Sequence, residues 1–320
     1  MIRRLLYLAT LLILLASLSP GLAAEKVKVS TPVKMHPIFA LPALAAEEKG
    51  FWKEQGLEGE WVPFSASTPM YQAVVAGSIL IGMDDVTGTV QATSRGVPVV
   101  VAGHLGVEQD QMIYVRADSP IKEGKELRGK KVGILRPGGP TYAYAALALK
   151  AIGLEKDVKL VGSGGIPEET AALKTGAIDA MGMSYIGMAA LVVAGEIRPV
   201  LAARDYLPKE WVTRVIFARK DLLEQKPEVA ARVIKAILKS TDFIMKDQRW
   251  AIDKMKSFFN YSEAVAKDIY PRLNFSKDGK LDPKGMVNVR QFLIDFGLVP
   301  KDKAPAVEEL YSLKALERIS

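Results

Sequence analysis

The 320-residue chain contains no cysteine and only two histidines, His36 and His104. Without cysteine there is no disulfide framework, no thiolate metal site and no cysteine nucleophile. Two histidines cannot build a histidine-rich metal centre, so neither a metal nor a cofactor is expected. Long apolar runs are absent after residue 24, and no later segment reads as a transmembrane helix. Charge of one sign is not concentrated either. The 43 Lys and Arg are interspersed among 36 Asp and Glu, for a formal charge of +7. That pattern describes a solvated surface rather than a nucleic-acid-binding stripe, and no nucleic-acid partner is expected.

The first 24 residues have the form of a secretory signal: Arg3 and Arg4, an apolar "LLYLATLLILLASL", then the small residues of "GLAAE". Cleavage is expected after Ala23 or Ala24. Removing the two arginines takes the formal charge from +7 to +5. No cysteine follows the cut, so a lipid anchor there is excluded, and the protein is expected to be exported across the inner membrane.

Beyond the signal, short β-like runs alternate with helix-like stretches. "VKVST" is a strand and "IFALPALAAEEKGFW" a helix, with Pro42 placed near its start. "STPMYQAVVAG" reads as a helix with Thr68 as N-cap and Pro69 at the first helical position. The unit "AGSILIGMDD" (76–85) returns a hundred residues later as "TGAIDAMGMS" (175–184). In each, a helix stops at a glycine, a strand follows, and polar residues end it. Strand–helix alternation implies parallel sheets with helices on both faces, and two such blocks imply two α/β lobes. After residue 220 the spacing turns mainly helical. In open α/β sheets, ligands sit beyond the carboxyl ends of the strands, which is where the two polar tips lie.

The run "ALAAEEKGFWKEQGLEGEWVPFSASTPMYQAVVAGSILIG", followed by "GVPVVVAG", "YVRADSPIKEGKELRGKKVGIL" and "LKTGAIDAMGM", resembles the NMT1/THI5-like solute-binding proteins over roughly residues 27–220. That group includes periplasmic proteins for sulfonates, taurine, nitrate and thiamine pyrimidines. The chain departs from the family's G-x-x-D at the first repeat, where Leu80 replaces the aspartate. The second repeat keeps it as Asp179, read as a local structural residue. The resemblance implies a two-lobed type II periplasmic binding protein fold, each lobe a mainly parallel sheet with helices on both faces, plus a helical C-terminal segment. Lobe 1 is expected at 25–116 and 213–320 and lobe 2 at 117–212, with crossings near residues 116–119 and 207–213. The implied role is capture of a small-molecule ligand between the lobes by a monomer, and delivery to an ABC transporter permease in the inner membrane.

Candidate ligand contacts follow from the strand tips and helix starts. His36 and Phe39 lie after the first strand, with Lys34 beside them. Ser65, Ser67 and Thr68 sit at a helix start, where free N–H groups suit an anion or a carbonyl. Of Asp84 and Asp85, one is expected to cap the helix beginning near Val86 and the other to be free for a ligand donor. Thr141 and Tyr142 open the second block's first helix, and Ser184 and Tyr185 end its later strand. Arg136 is read as a surface residue.

The helix-end turns and the mild positive charge favour a sulfonate- or carboxylate-like anion. The aspartates and tyrosines favour instead a nitrogenous aromatic such as a thiamine pyrimidine or flavin. Asp84, Asp85 and His36 are not arranged as nucleophile and base, and the cysteine-rich motif of the family's pyrimidine-synthesising branch is missing, so no enzyme is expected. A periplasmic sensor subunit would share the fold and the cleft.

Overall fold

The computed structural model describes residues 24–32, 34, 36–106 and 108–319. Residues 1–23, on which the secretory signal is read, lie outside the described residues. Among those described, no helix is long and apolar enough to cross a membrane.

The chain builds two five-stranded sheets of matching design. Sheet one holds β1 (Glu25–Thr31), β2 (Leu57–Pro63), β3 (Ile81–Asp85), β4 (Val99–Gly106) and β10 (Arg214–Arg219), in the order β2-β1-β3-β10-β4. Sheet two holds β5 (Gln111–Arg116), β6 (Lys131–Ile134), β7 (Lys159–Gly162), β8 (Ala180–Ser184) and β9 (Ile197–Ala202), in the order β7-β6-β8-β5-β9. In each sheet the first three neighbours are parallel. The fourth strand, β10 or β5, runs antiparallel to both its neighbours. Each antiparallel strand is the first one laid down after the chain changes sheets.

The first change of sheet therefore falls at residues 107–110, between β4 and β5, and not near 116–119. The run "MIYVR" pairs with β8 and β9 and belongs to sheet two. Its continuous apolar character suits a central strand of either sheet, so the sequence could not assign it. The second change lies at residues 203–213, overlapping the expected 207–213.

The first helices are α1 (Pro37–Glu48) and α2 (Phe51–Glu54). Pro37 takes the first turn, where its missing N–H costs nothing, so Pro42 falls inside α1 rather than near its start. Helix α3 (Ser67–Val75) begins two residues earlier than expected; its N-cap is Ala66, and Thr68 is already helical. Gly77 (φ 75°) follows α3, and Gly176 (φ 77°) ends α6 (Ile166–Thr175), reached after α4 (Val86–Ser94) and α5 (Pro140–Ala151). Both glycines adopt the left-handed conformation that side chains resist, which turns the chain into the next strand. Helix α7 (Tyr185–Val193) follows β8 as α4 follows β3.

The C-terminal helices are α8 (Lys220–Gln225), α9 (Pro227–Lys246), α10 (Gln248–Phe259), α11 (Glu263–Ile269) and α12 (Pro283–Asp295). Helix α9 buries Ala230, Val233, Ile234, Ile237 and Ile244 at helical spacing and packs on α1. Each large apolar side chain fully buried there contributes about 1.5–3 kcal/mol. These helices do not serve sheet one alone. Helix α11 packs on α7 of sheet two, and Phe292 of α12 stacks 5.5 Å from Tyr144 of α5. The C-terminal segment thus grips both halves, because its apolar stripes find partners on each.

Candidate functional site

The two repeated tips meet. Asp85 ends β3 and N-caps α4, accepting the Thr87 N–H at 2.9 Å and its hydroxyl at 2.6 Å. Ser184 ends β8 and N-caps α7, accepting the Gly187 N–H at 3.5 Å. Arg214, the first residue of β10, joins them. Its guanidinium pairs with Asp85 and, at 3.1 Å, with Asp110. Asp110 lies in the first change of sheet; it accepts the Ser184 hydroxyl and, at 3.2 Å, the Ile186 N–H. His36 Nε2 stands 3.4 Å from Ser184 Oγ. A continuous polar chain, Asp85–Arg214–Asp110–Ser184–His36, therefore crosses from sheet one to sheet two. Gln91 of α4 also donates to the Gly138 carbonyl of the other half at 3.3 Å.

The chain is buried: Arg214 is 3 % exposed, Asp85 5 %, Asp110 8 % and Ser184 5 %. Burial opposes the guanidinium charge, but Asp85 and Asp110 outweigh it, and the Arg214 pKa is raised. Burial draws His36 down to about 4, with Asp110 opposing and Arg214 adding to the fall. Behind the first tip, Asp84 accepts the Tyr71 hydroxyl at 2.9 Å, the Asp85 N–H at 2.7 Å and a bond from Ser67. Burial nevertheless pushes its pKa up to about 6.

The expected residues divide into two groups. His36, Asp85 and Ser184 belong to the junction, and Phe39 lies against it, 5.5 Å from the His36 ring and 5.9 Å from the Arg214 guanidinium. Asp85 is the cap, as one aspartate was expected to be. Asp84 is not the free partner: its oxygens are taken by Tyr71, Ser67 and the backbone. Ser65 and Thr68 are exposed, as are Lys34 and Arg136. Thr68 lines a crevice of about 590 Å³ with Tyr71, Val75, Arg95 and Pro98, away from Ser184. Thr141 is buried and accepts the Leu135 N–H at 3.1 Å, so it braces the loop before α5. Tyr142 packs half-buried against an apolar cluster. Tyr185 turns toward the C-terminal segment, where the Arg272 guanidinium lies 3.8 Å over its ring. Asp179 receives the Lys131 N–H at 2.8 Å, a local structural role.

Sequence reasoning missed Arg214 and Asp110. The available signals were slight: an arginine opening the otherwise apolar "RVIFA", and an acid between the apolar runs of β4 and β5. Among the described residues no cluster of three or more His, Asp or Glu could hold a metal ion. A crevice of about 570 Å³ lies beside the two changes of sheet, lined by His104, Gln109, Arg204, Trp211 and Phe275, but none of the expected residues reaches it.

Comparison with known proteins gives the chain's relatives. A protein of Brucella abortus, named as a binding protein, is 27 % identical over 222 residues, covering 68 % of this chain and 67 % of its own. A Saccharomyces cerevisiae 4-amino-5-hydroxymethyl-2-methylpyrimidine phosphate synthase is 22 % identical over 257 residues, covering 72 % and 70 %. The crystal structure of the periplasmic aliphatic sulphonate binding protein of Escherichia coli superposes with a TM-score of 0.77 at 18 % identity, covering 89 % of this chain and 91 % of that one. That likeness establishes the periplasmic binding protein fold. The family model described as NMT1/THI5 like matches residues 40–251, well over half of the chain, and the protein belongs to that family.

Proposed function

We propose that the protein is the periplasmic substrate-binding component of an ABC importer. It captures a small organic solute between residues 25–106 with 214–319 on one side and 111–202 on the other, and hands it to an inner-membrane permease. The observation that carries this reading is the polar chain from Asp85 to His36, buried from Asp85 to Ser184, which links the two sheets. A solute held by groups from both halves binds the closed arrangement better than the open one and so draws the halves together.

The solute-facing set in this reading is His36, Phe39, Asp110, Ser184 and Arg214. Ser67 supports it from behind through Asp84, whereas Ser65, Thr68, Thr141, Tyr142 and Tyr185 stand outside it. The sulfonate-binding relative of the same fold supports an anionic solute, as do the helix-end turns. The two carboxylates that neutralise Arg214 support the other class, a nitrogenous solute. The relatedness to the yeast synthase favours an enzyme only if proton-transfer groups converge. At this junction the carboxylates are held by Arg214 and Ser184, and the one histidine contacts Ser184 rather than a carboxylate, which supports binding.

A thermal-shift screen of the protein against small solutes tests the reading. A solute at a hundred times its Kd stabilises by about 2.7 kcal/mol. Asp110→Asn and Phe39→Ala are expected to weaken a confirmed solute at least tenfold. Unchanged affinity in both would place the site elsewhere.

A further inference from the structure

The junction fixes the position of one proton. A serine hydroxyl has one hydrogen to give and two lone pairs. Ser184 Oγ donates to Asp110 Oδ2, which also receives the Ile186 N–H at 3.2 Å, while Asp110 Oδ1 is held by Arg214 at 3.1 Å. With its hydrogen committed, Ser184 can only accept, from Gly187 N–H at 3.5 Å and from His36 Nε2 at 3.4 Å. His36 therefore carries its hydrogen on Nε2. Burial, opposed by Asp110 and aided by Arg214, keeps the ring neutral at neutral pH, with a pKa of about 4. A neutral ring protonated on Nε2 leaves Nδ1 as a bare acceptor. That atom is buried and has no hydrogen-bond partner among the described residues.

An acceptor left unpaired in the interior is destabilising, and a ligand hydrogen would relieve it. The surroundings restrict what such a ligand can be. The Arg214 charge is shared between Asp85 and Asp110, with Asp84 behind them, so the buried cluster is formally negative. An incoming anion would meet like charge in a medium where it is poorly screened. The Phe39 ring, tilted 51° to the His36 ring at 5.5 Å, adds an apolar flank.

We infer that the solute is neutral or cationic and presents an N–H or O–H hydrogen to His36 Nδ1. Acceptor-only anions, such as nitrate or an alkanesulfonate, are turned away from this position. The inference rests on the solute-binding reading above and narrows it.

The chain has two histidines, so ring-¹⁵N-labelled protein gives two ring systems, told apart with a His104→Asn variant. At pH 7 the unliganded protein should show His36 protonated on Nε2 and bare at Nδ1. A ring protonated on Nδ1 overturns the inference. Titration then compares cytosine, nicotinamide and glycinamide with nitrate and methanesulfonate. A donor-bearing probe should raise Tm and move the His36 Nδ1 signal. Its affinity should fall at least tenfold in His36→Phe and be partly restored in His36→Asn, whose amide oxygen offers an acceptor near the same place. Binding of nitrate or methanesulfonate that is equal in wild type and His36→Phe would overturn the inference and leave solute capture standing. A screen in which neither class raises Tm would count against solute capture itself, and the ring spectrum would still decide where the proton sits.

Discussion

Asp85 and Ser184 hold equivalent places. Each ends the third parallel strand of its sheet and caps the helix that follows. Their chemistry differs. The first tip is charged and needs Arg214 to balance it, whereas the second is a neutral hydroxyl that passes a hydrogen to Asp110. A buried acid also sits in each half: Asp84 on the first strand tip itself, and Glu169 on α6 beside the Ser163 hydroxyl at 3.3 Å. The same strand–helix unit thus supplies a fixed charge on one side of the junction and a relay on the other. Identical charged tips would have faced each other across a buried seam with no solvent to screen them.

The sharpest way to break this pairing is to remove its shared partner. Arg214→Ala strands two buried carboxylates, and loss of one member of a buried ion pair costs about 3–5 kcal/mol. Urea denaturation should show that fall, with Asp85→Asn/Asp110→Asn in the same background recovering part of it.

The buried acids come next. Burial pushes Glu169 up to about 7, with the Ser163 hydroxyl and the Gly182 N–H opposing. The folded state therefore holds a proton that the unfolded state has lost between about pH 4.5 and 7, and this group's contribution falls as pH rises through that window. Glu169→Gln should gain roughly 3 kcal/mol over wild type at pH 8 and nothing near pH 4, read as the difference between two Tm–pH curves. His36 acts in the opposite sense. Its folded pKa lies below the unfolded value, so its contribution is lost as pH falls from about 6.5 to 4. In that acid window His36→Phe should flatten the decline in Tm.

The smallest effect compares the caps directly. Ser184→Ala removes a cap hydrogen bond, typically about 1 kcal/mol. Asp85→Ala removes both cap and ion pair and should cost clearly more. Equal losses would mean that the bonds of Ser184 to Asp110 and His36 are worth as much as the Arg214–Asp85 ion pair.

The architecture was legible because it is written in local terms. The repeated "AGSILIGMDD" and "TGAIDAMGMS" mark β3 and β8, and Gly77 and Gly176 mark the helix exits, because helix stops and strand starts depend on neighbours in sequence. "MIYVR" was assigned to the wrong half because a fully apolar strand carries no information about which sheet it joins. His36, Phe39, Asp85 and Ser184 were readable as tip residues. Asp110 and Arg214 were not, since 104 residues separate them and neither belongs to a motif. Tyr185 carried the right position and the wrong direction: its ring turns to Arg272, 87 residues further along the chain.

By itself the sequence determined two α/β halves, the glycine exits, an aspartate cap at the first tip and a helical C-terminal segment. These follow from hydrophobic periodicity and backbone preference over a few residues. Only the tertiary structure decided which strand crosses between sheets, that the C-terminal helices grip both halves, and that Arg214 and Asp110 turn two separate tips into one buried chain. Charges bury only where partners distant in sequence converge to compensate them, and that convergence exists only once the chain has folded.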